Sequence, residues 1–193
     1  RQRLYALYAE GRFSEALTIA NDIVGRNQPN VALLTLMAVC HFRLGNTEEA
    51  IVCWRQATQI DPKFVDAPFN MGLLLHGQQR LAEAEVAYRQ VLSIESNHAD
   101  AHCNIGILLQ GQRRIAESEL AYRQAIRIRP NHIAALYNLG NLLQEQGDFS
   151  MAEAAYGDAL RVQPNHAGSH NNLSVIMIRQ HRFAEAEKHC RPV

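Results

Sequence analysis

The chain has 193 residues, and its nineteen basic side chains balance nineteen acidic ones, so the formal net charge is zero. That balance argues against a nucleic-acid or membrane-surface protein, whose electrostatic footprint is usually a large basic excess. No stretch approaches the roughly 18 uninterrupted apolar residues of a membrane span, and Arg1–Glu10 lacks the basic start and apolar centre of a secretory signal.

Internal repetition organises the sequence. Pro62, Pro130 and Pro164 fall on a 34-residue grid, with Ser96 at the missing node. Asn70, Asn104, Asn138 and Asn172 follow the same period, as do Gly72, Gly106 and Gly140. Ala16, Ala50, Ala84, Ser118, Ala152 and Ala186 form another column, and Trp54, Tyr88, Tyr122 and Tyr156 a fourth. One repeat domain spanning 1–193 is expected. In chain order, a partial unit at 1–30 carries an apolar helical face (Leu4, Tyr5, Leu7, Tyr8). Full units follow at 31–64, 65–98, 99–132 and 133–166, and a partial unit at 167–193 stops within its second helix.

Each full unit reads as two helices. In 133–166, Leu136, Leu139, Gly140, Leu142 and Leu143 recur at helical spacing, and Ala152, Ala155, Tyr156, Ala159, Leu160 and Val162 do so again. Between them Gly147 can take a positive φ and stop the first helix, in register with Gly45 and Gly11. Asp148 and Ser150 stand where the second helix starts and can cap it. No strand-like alternation occurs, so the predicted class is all-α. Glycine inside a helix costs about 1 kcal/mol relative to alanine, so Gly72, Gly106 and Gly140 require an offsetting close approach. Alanines such as Ala84 and Ala152 are expected to face them across the pair, with the aromatic column filling the gap between neighbouring units.

A small residue in the first helix, alanine at the twentieth place, an aromatic four later and proline at the thirty-second together resemble the tetratricopeptide repeat. NLGNLLQEQGDFSMAEAAYGDALRVQP (138–164) is the fullest match, and the resemblance covers essentially the whole chain. It departs from the pattern at the N-terminus, where Ala20 replaces the aromatic and Pro29 sits one place late. The resemblance implies a right-handed α-solenoid, a superhelix whose first helices line the concave face. It says little about the partner, because the matched residues are packing residues.

Function is therefore expected in first-helix places that the packing columns leave unused. The sixth place carries Asn70, Asn104, Asn138 and Asn172, a residue of poor helix propensity whose amide can bond both groups of a peptide backbone. The row is similar to the asparagine ladder lining the repeat arm of O-linked N-acetylglucosamine transferases and SPINDLY proteins; bonding to a neighbouring helix is the alternative role. Asp66 and Asp100, one turn earlier, are expected to select basic or hydroxyl side chains. At roughly 0.5–1.5 kcal/mol net for each bond, the ladder alone binds near the millimolar end of the scale, so side-chain pockets must supply the rest. On the same face, Tyr5, Tyr8, Leu36, Val39, Phe42, Phe69 and Leu73 are apolar, whereas Tyr137, Asn141, Gln144 and Asn171 are polar, a gradient suited to an amphipathic peptide. The basic residues with which related domains grip acidic chaperone C-termini are missing, since those places hold Ala32, Thr35, Phe69, Asp100, Cys103, Ala134 and Tyr137.

His98 with His102, and His166 with His170, have a spacing that can share a metal, yet no third ligand is evident, so no metal or cofactor is expected. The Asn-His turns at 97–98, 131–132 and 165–166 read as drift in a loop. Arg113, Arg114, Arg123, Arg127 and Arg129 read as a solvated basic surface. No phosphate loop, nucleophile elbow or HExxH occurs, so the chain is expected not to be an enzyme. Cys40, Cys53, Cys103 and Cys190 have no paired spacing and read as free thiols in a reducing, cytoplasmic setting. The leading expectation is a scaffold that binds a peptide or protein partner on its concave face, with no nucleic acid and no membrane. The alternatives are the substrate-recruiting arm of a larger enzyme such as a glycosyltransferase, and a self-assembling array. Both ends fall inside repeats, so a fragment of a longer protein and a homo-oligomer joined through apolar ends (Leu4, Tyr5, Leu7, Tyr8; Val175, Ile176, Met177, Ile178) are also expected.

Overall fold

The computed structural model describes residues 2–26 and 28–190, the Cys190 side chain excepted. The free thiol expected at Cys190 and the end of the partial unit 167–193 lie outside the described residues. Among the described residues the fold is all-α, a solenoid of helical hairpins with twelve helices and no strand. The chain divides into two compact units, 1–96 and 97–193.

The first unit holds α1 (Gln2–Ala9), α2 (Phe13–Arg26), α3 (Val31–Arg43), α4 (Thr47–Ile60), α5 (Asp66–Gly77) and α6 (Leu81–Ile94). The second holds α7 (Ala99–Gly111), α8 (Ile115–Ile128), α9 (Ile133–Glu145), α10 (Phe149–Val162), α11 (Ala167–Arg179) and α12 (Phe183–Cys190). Each odd helix pairs with the even helix after it. Within a unit, each even helix packs on the odd helix that follows, and α9 also touches α7 and α11. No helix among the described residues is long and apolar enough to cross a membrane.

The turn inside each hairpin needs one residue in the left-handed region. Gly45 (φ 81°) and Gly147 (φ 83°) supply it without steric cost. The same place holds Gln79, Arg113 and His181 at φ 58–62°. A recurring backbone bond closes the turn whatever side chain is present: Asn46 N to His41 O, Arg114 N to Leu109 O and Asp148 N to Leu143 O are each 2.9 Å. Asp148 then caps α10, its Oδ1 accepting from Met151 N at 3.1 Å, while Ser150 lies inside the helix.

The helical glycines make a different contact from the one their spacing predicts. A Cβ on Gly140 would lie 2.5 Å from Cε1 of Tyr156, and one on Gly72 or Gly106 would lie 2.7 or 2.6 Å from Tyr88 or Tyr122. The nearest atoms are thus those of the aromatic of the same hairpin, which the spacing places between neighbouring units instead. The rings are fully buried, and Tyr122 and Tyr156 also belong to the core shared by successive hairpins. The alanine column is buried too, and its exception, Ser118, donates its hydroxyl to Gly106 O at 2.7 Å.

The Asn-His turns are not drift. His98, His132 and His166 each stand before a first helix, and Nδ1 accepts the N–H three residues on, at 3.1, 3.3 and 3.2 Å. They are N-caps built from imidazole, filling the role Asn30 plays for α3. At the ends, Leu4, Leu7, Ile176 and Met177 are buried within the chain, contrary to the expectation of an exposed strip; Tyr5, Val175 and Ile178 are exposed.

Candidate functional site

In the first unit, the unused first-helix places form an open groove of about 540 Å³ between α3 and α5. Val39 and Phe42 come from α3, Asn70 and Leu73 from α5, and Trp54 from α4. The α3 and α5 residues sit at successive helical turns of two neighbouring first helices, so the repeat itself brings them to one face, and Trp54 joins them from a second helix. Phe42 is 47% exposed and Leu73 43%, large apolar groups left in contact with solvent. Arg43 stands at the rim, exposed and with no ion-pair partner among the described residues. Gln78 is already engaged, donating to Thr47 Oγ1 at 2.8 Å. Asp66 is exposed at the start of α5. Phe69 is half-buried, with its ring 6.1 Å from that of Tyr88.

Two buried donors in this unit lack an acceptor. Trp54 is 3% exposed, and neither its Nε1 nor the Tyr88 hydroxyl has a hydrogen-bond partner among the described residues. Burial raises the Tyr88 phenol well above its ordinary range. The second unit satisfies the same places: Tyr122 Oη donates to Gln110 Oε1 at 2.9 Å, and Tyr156 Oη lies 2.7 Å from Asn141 Oδ1 and 3.0 Å from Gln144 Oε1. The difference lies at the twelfth place, which is glutamine in the second unit at 110 and 144 but Phe42 and His76 in the first.

The second unit brings its expected residues together differently. Asn172 Nδ2 donates to Asn141 Oδ1 at 2.8 Å and to Tyr156 Oη at 3.0 Å, tying α11 to α9 and α10. Asn138, on the neighbouring hairpin, acts to lower the Cys103 thiol against the effect of burial. Asn104 Nδ2 donates to the Asp100 carbonyl of its own helix at 2.9 Å. All three amides are half-buried, and those of Asn172 and Asn104 already have protein partners. Tyr137 packs its ring 5.0 Å from His166 and 5.9 Å from Tyr156, over Gly168, where a Cβ would meet it at 2.9 Å. Asp100, expected to face a basic ligand, instead pairs with Arg129, and its Oδ1 lies 3.2 Å from His132 Nε2. Burial acts to raise the Asp100 carboxyl, but the Arg129 hydrogen bond and charge, with His132 and His98, outweigh it and hold it below its ordinary value. The arginines read as a basic surface are largely neutralised, Arg114 by Glu117 and Arg123 by Glu119. Cys40, Cys53 and Cys103 are buried, unpaired thiols, and burial pushes Cys40 and Cys103 up to about 11.

Two further apolar grooves lie on the second-helix side. One, about 300 Å³, is lined by Met71, Leu75 and Val86. The other, about 310 Å³, is lined by Leu139, Leu143 and Met151 beside Arg123 and Arg127. Sequence reasoning missed three features. Trp54 stands in the packing column, Arg43 is one of the first-helix places that carry no repeated residue, and the histidine caps are hidden because imidazole is not among the usual capping side chains.

No curated protein matches the chain in sequence. Its fold is similar to that of many solved proteins, among them the following three. PilF of Pseudomonas aeruginosa is 22% identical, with a TM-score of 0.73 over 82% of this chain and 72% of that one. MamA of Desulfovibrio magneticus RS-1 is 19% identical, with a TM-score of 0.73 over 82% and 90%. YrrB, described as a TPR protein with an unusual peptide-binding site, is 16% identical, with a TM-score of 0.70 over 88% of each chain. None of these extends the resemblance to the glycosyltransferase arm. Models of the TPR repeat match 41–79 and 114–147, and tetratricopeptide repeat models match 66–98 and 133–166. Together they cover more than half of the sequence. Repeats of this kind build protein-interaction scaffolds. The chain belongs to the tetratricopeptide repeat family.

Proposed function

We propose that the chain is an interaction scaffold that holds an extended peptide segment of its partner against the first helices of its repeats. One observation carries this reading. The places not needed for packing (Val39, Phe42, Asn70 and Leu73) converge on one open apolar groove, and its size falls within the roughly 300–1,000 Å³ usual for binding pockets. The likeness to YrrB, itself described as having a peptide-binding site, supports the same direction. In the second unit the half-buried amides of Asn104 and Asn138 offer backbone-bonding groups, while Asn172 and Asn141 chiefly brace the Tyr156 hydroxyl. In the first unit recognition accordingly rests on side-chain burial, since amide contacts contribute little strength.

The test is site-specific photo-crosslinking to peptides selected from a random display library. With benzoylphenylalanine at position 42, on α3, selected peptides become attached; with the same probe at position 52, an exposed valine on α4, they do not. Attachment only from position 52, or no selectable peptide at all, contradicts the proposal.

A further inference from the structure

We infer that the α3–α5 groove is an anchor subsite for one bulky apolar side chain of the bound peptide, with a carboxylate close to it in sequence held by Arg43. This rests on the peptide-binding reading above and specifies its chemistry. The argument starts from an exchange between equivalent places. In the second unit, the twelfth place is a glutamine that accepts the hydroxyl of the aromatic column, Gln110 for Tyr122 and Gln144 for Tyr156. In the first, Phe42 takes that place opposite Trp54, and the indole Nε1 is left buried without an acceptor. Leaving such a donor unsatisfied is unfavourable, and exposing half of a phenylalanine ring adds nothing to the stability of the free chain. The exposed ring becomes useful once an apolar side chain lies between Phe42, Leu73 and Val39, beside Trp54, and the indole N–H remains free to donate to a carbonyl of the peptide backbone.

The sign of the neighbouring group follows from charge. Arg43 is exposed on the rim, and the groove lining contains no carboxylate. Most other arginines of the first unit, namely Arg12, Arg26, Arg55, Arg80 and Arg89, are paired with acidic side chains. An unpaired guanidinium beside an apolar floor favours a peptide carboxylate and disfavours lysine or arginine.

The experiment is a random-peptide display selection on the full chain, followed by titration with a synthetic copy of a recovered peptide. Trp54 is the only tryptophan, so its emission reports on this groove alone. Recovered peptides are expected to share a Leu, Met or Phe with Asp or Glu within two positions, and their binding should shift Trp54 emission saturably. Phe42→Gln supplies the missing acceptor and removes the apolar wall. It should melt no lower than the parent yet bind at least about tenfold more weakly, the loss expected when a large apolar contact is removed. Arg43→Glu should weaken the same peptide by roughly tenfold, because an attraction becomes a repulsion, and a lysine-for-glutamate peptide should regain binding. Peptides without this pattern, or binding that ignores both variants and is silent at Trp54, overturn the anchor while leaving the first-helix reading to the crosslinks. A dimer that dissociates in Leu73→Glu would mean that a second copy fills the groove, and would also overturn it. Recovery of no peptide overturns both.

Discussion

Replacing Gly140 with alanine tests the packing logic most sharply, because propensity and contact predict opposite signs. Alanine is the better helix former by about 1 kcal/mol. Yet the new Cβ would lie 2.5, 2.7 and 2.9 Å from Cε1, Cδ1 and Cζ of Tyr156, a fully buried ring with no room to swing. Overpacking of this kind costs about 1–3 kcal/mol. Moving the ring also disturbs the bonds of its hydroxyl to Asn141, Gln144 and Asn172, adding roughly 1 kcal/mol. The net expectation is a loss of about 1–3 kcal/mol, lowering the melting temperature by roughly 5–20 °C for a unit of this size. Gly157 is the internal control. It lies inside α10 with nothing within 4 Å of its would-be Cβ, so Gly157→Ala should stabilise by up to about 1 kcal/mol. Thermal melts followed by circular dichroism read both variants. Equal stabilisation by the two would refute the claim that the glycine column exists to admit the tyrosines.

Acidification should loosen the second unit through His132. Burial, followed by the Arg129 charge, lowers the imidazole below its ordinary 6.5 against the opposing pull of Asp100, and a proton on Nδ1 would remove the cap of α9. The unfolded chain then takes up the proton first, so stability is full above about pH 6.5 and falls as pH drops from there toward the folded value. His132→Asn keeps an acceptor without titrating and should flatten that slope in melts between pH 7.5 and 5. Asn172→Ala should cost about 1–2 kcal/mol, because it removes two bonds that join helices; Asn104→Ala, which loses only a bond within its own helix, should stay within about 0.5 kcal/mol. At the C-terminal end, Ile178→Glu should disperse any self-association seen by light scattering without lowering the melting temperature, whereas Ile176→Glu, at a fully buried place, should unfold the last hairpin.

The fold could be read from the sequence because solenoid packing is local and repeated. Each column of Gly, Ala or aromatic residues answers to a neighbour about twelve to sixteen residues away in the same hairpin, as Gly140 answers to Tyr156. The face that carries function was legible for the same reason, since the places left over are fixed once the columns are known. Individual side chains on that face were less legible. A period of 34 places Asn70, Asn104, Asn138 and Asn172 in register, but whether an amide is engaged depends on neighbours outside the period. Asn172 is held because Asn141 and Tyr156 stand opposite it, and Asp100 because Arg129 reaches back to it. Trp54 looked like one more packing aromatic, and only the absence of a glutamine at position 42 sets it apart.

The central claim is that binding uses the first-helix face, and two exposed apolar residues of one hairpin separate it from its rival. Leu73 on α5 borders the α3–α5 groove, and Val86 on α6 borders the groove on the opposite side. Their exposures are 43% and 68%, so a glutamate at either place leaves the core intact. The dissociation constant of a display-selected peptide, measured by fluorescence anisotropy against each variant, decides between them. Leu73→Glu should weaken binding by about tenfold or more, as expected when charge enters an apolar contact, with Val86→Glu within about twofold of the parent. Equal losses in the two variants, or a loss confined to Val86→Glu, would contradict the account.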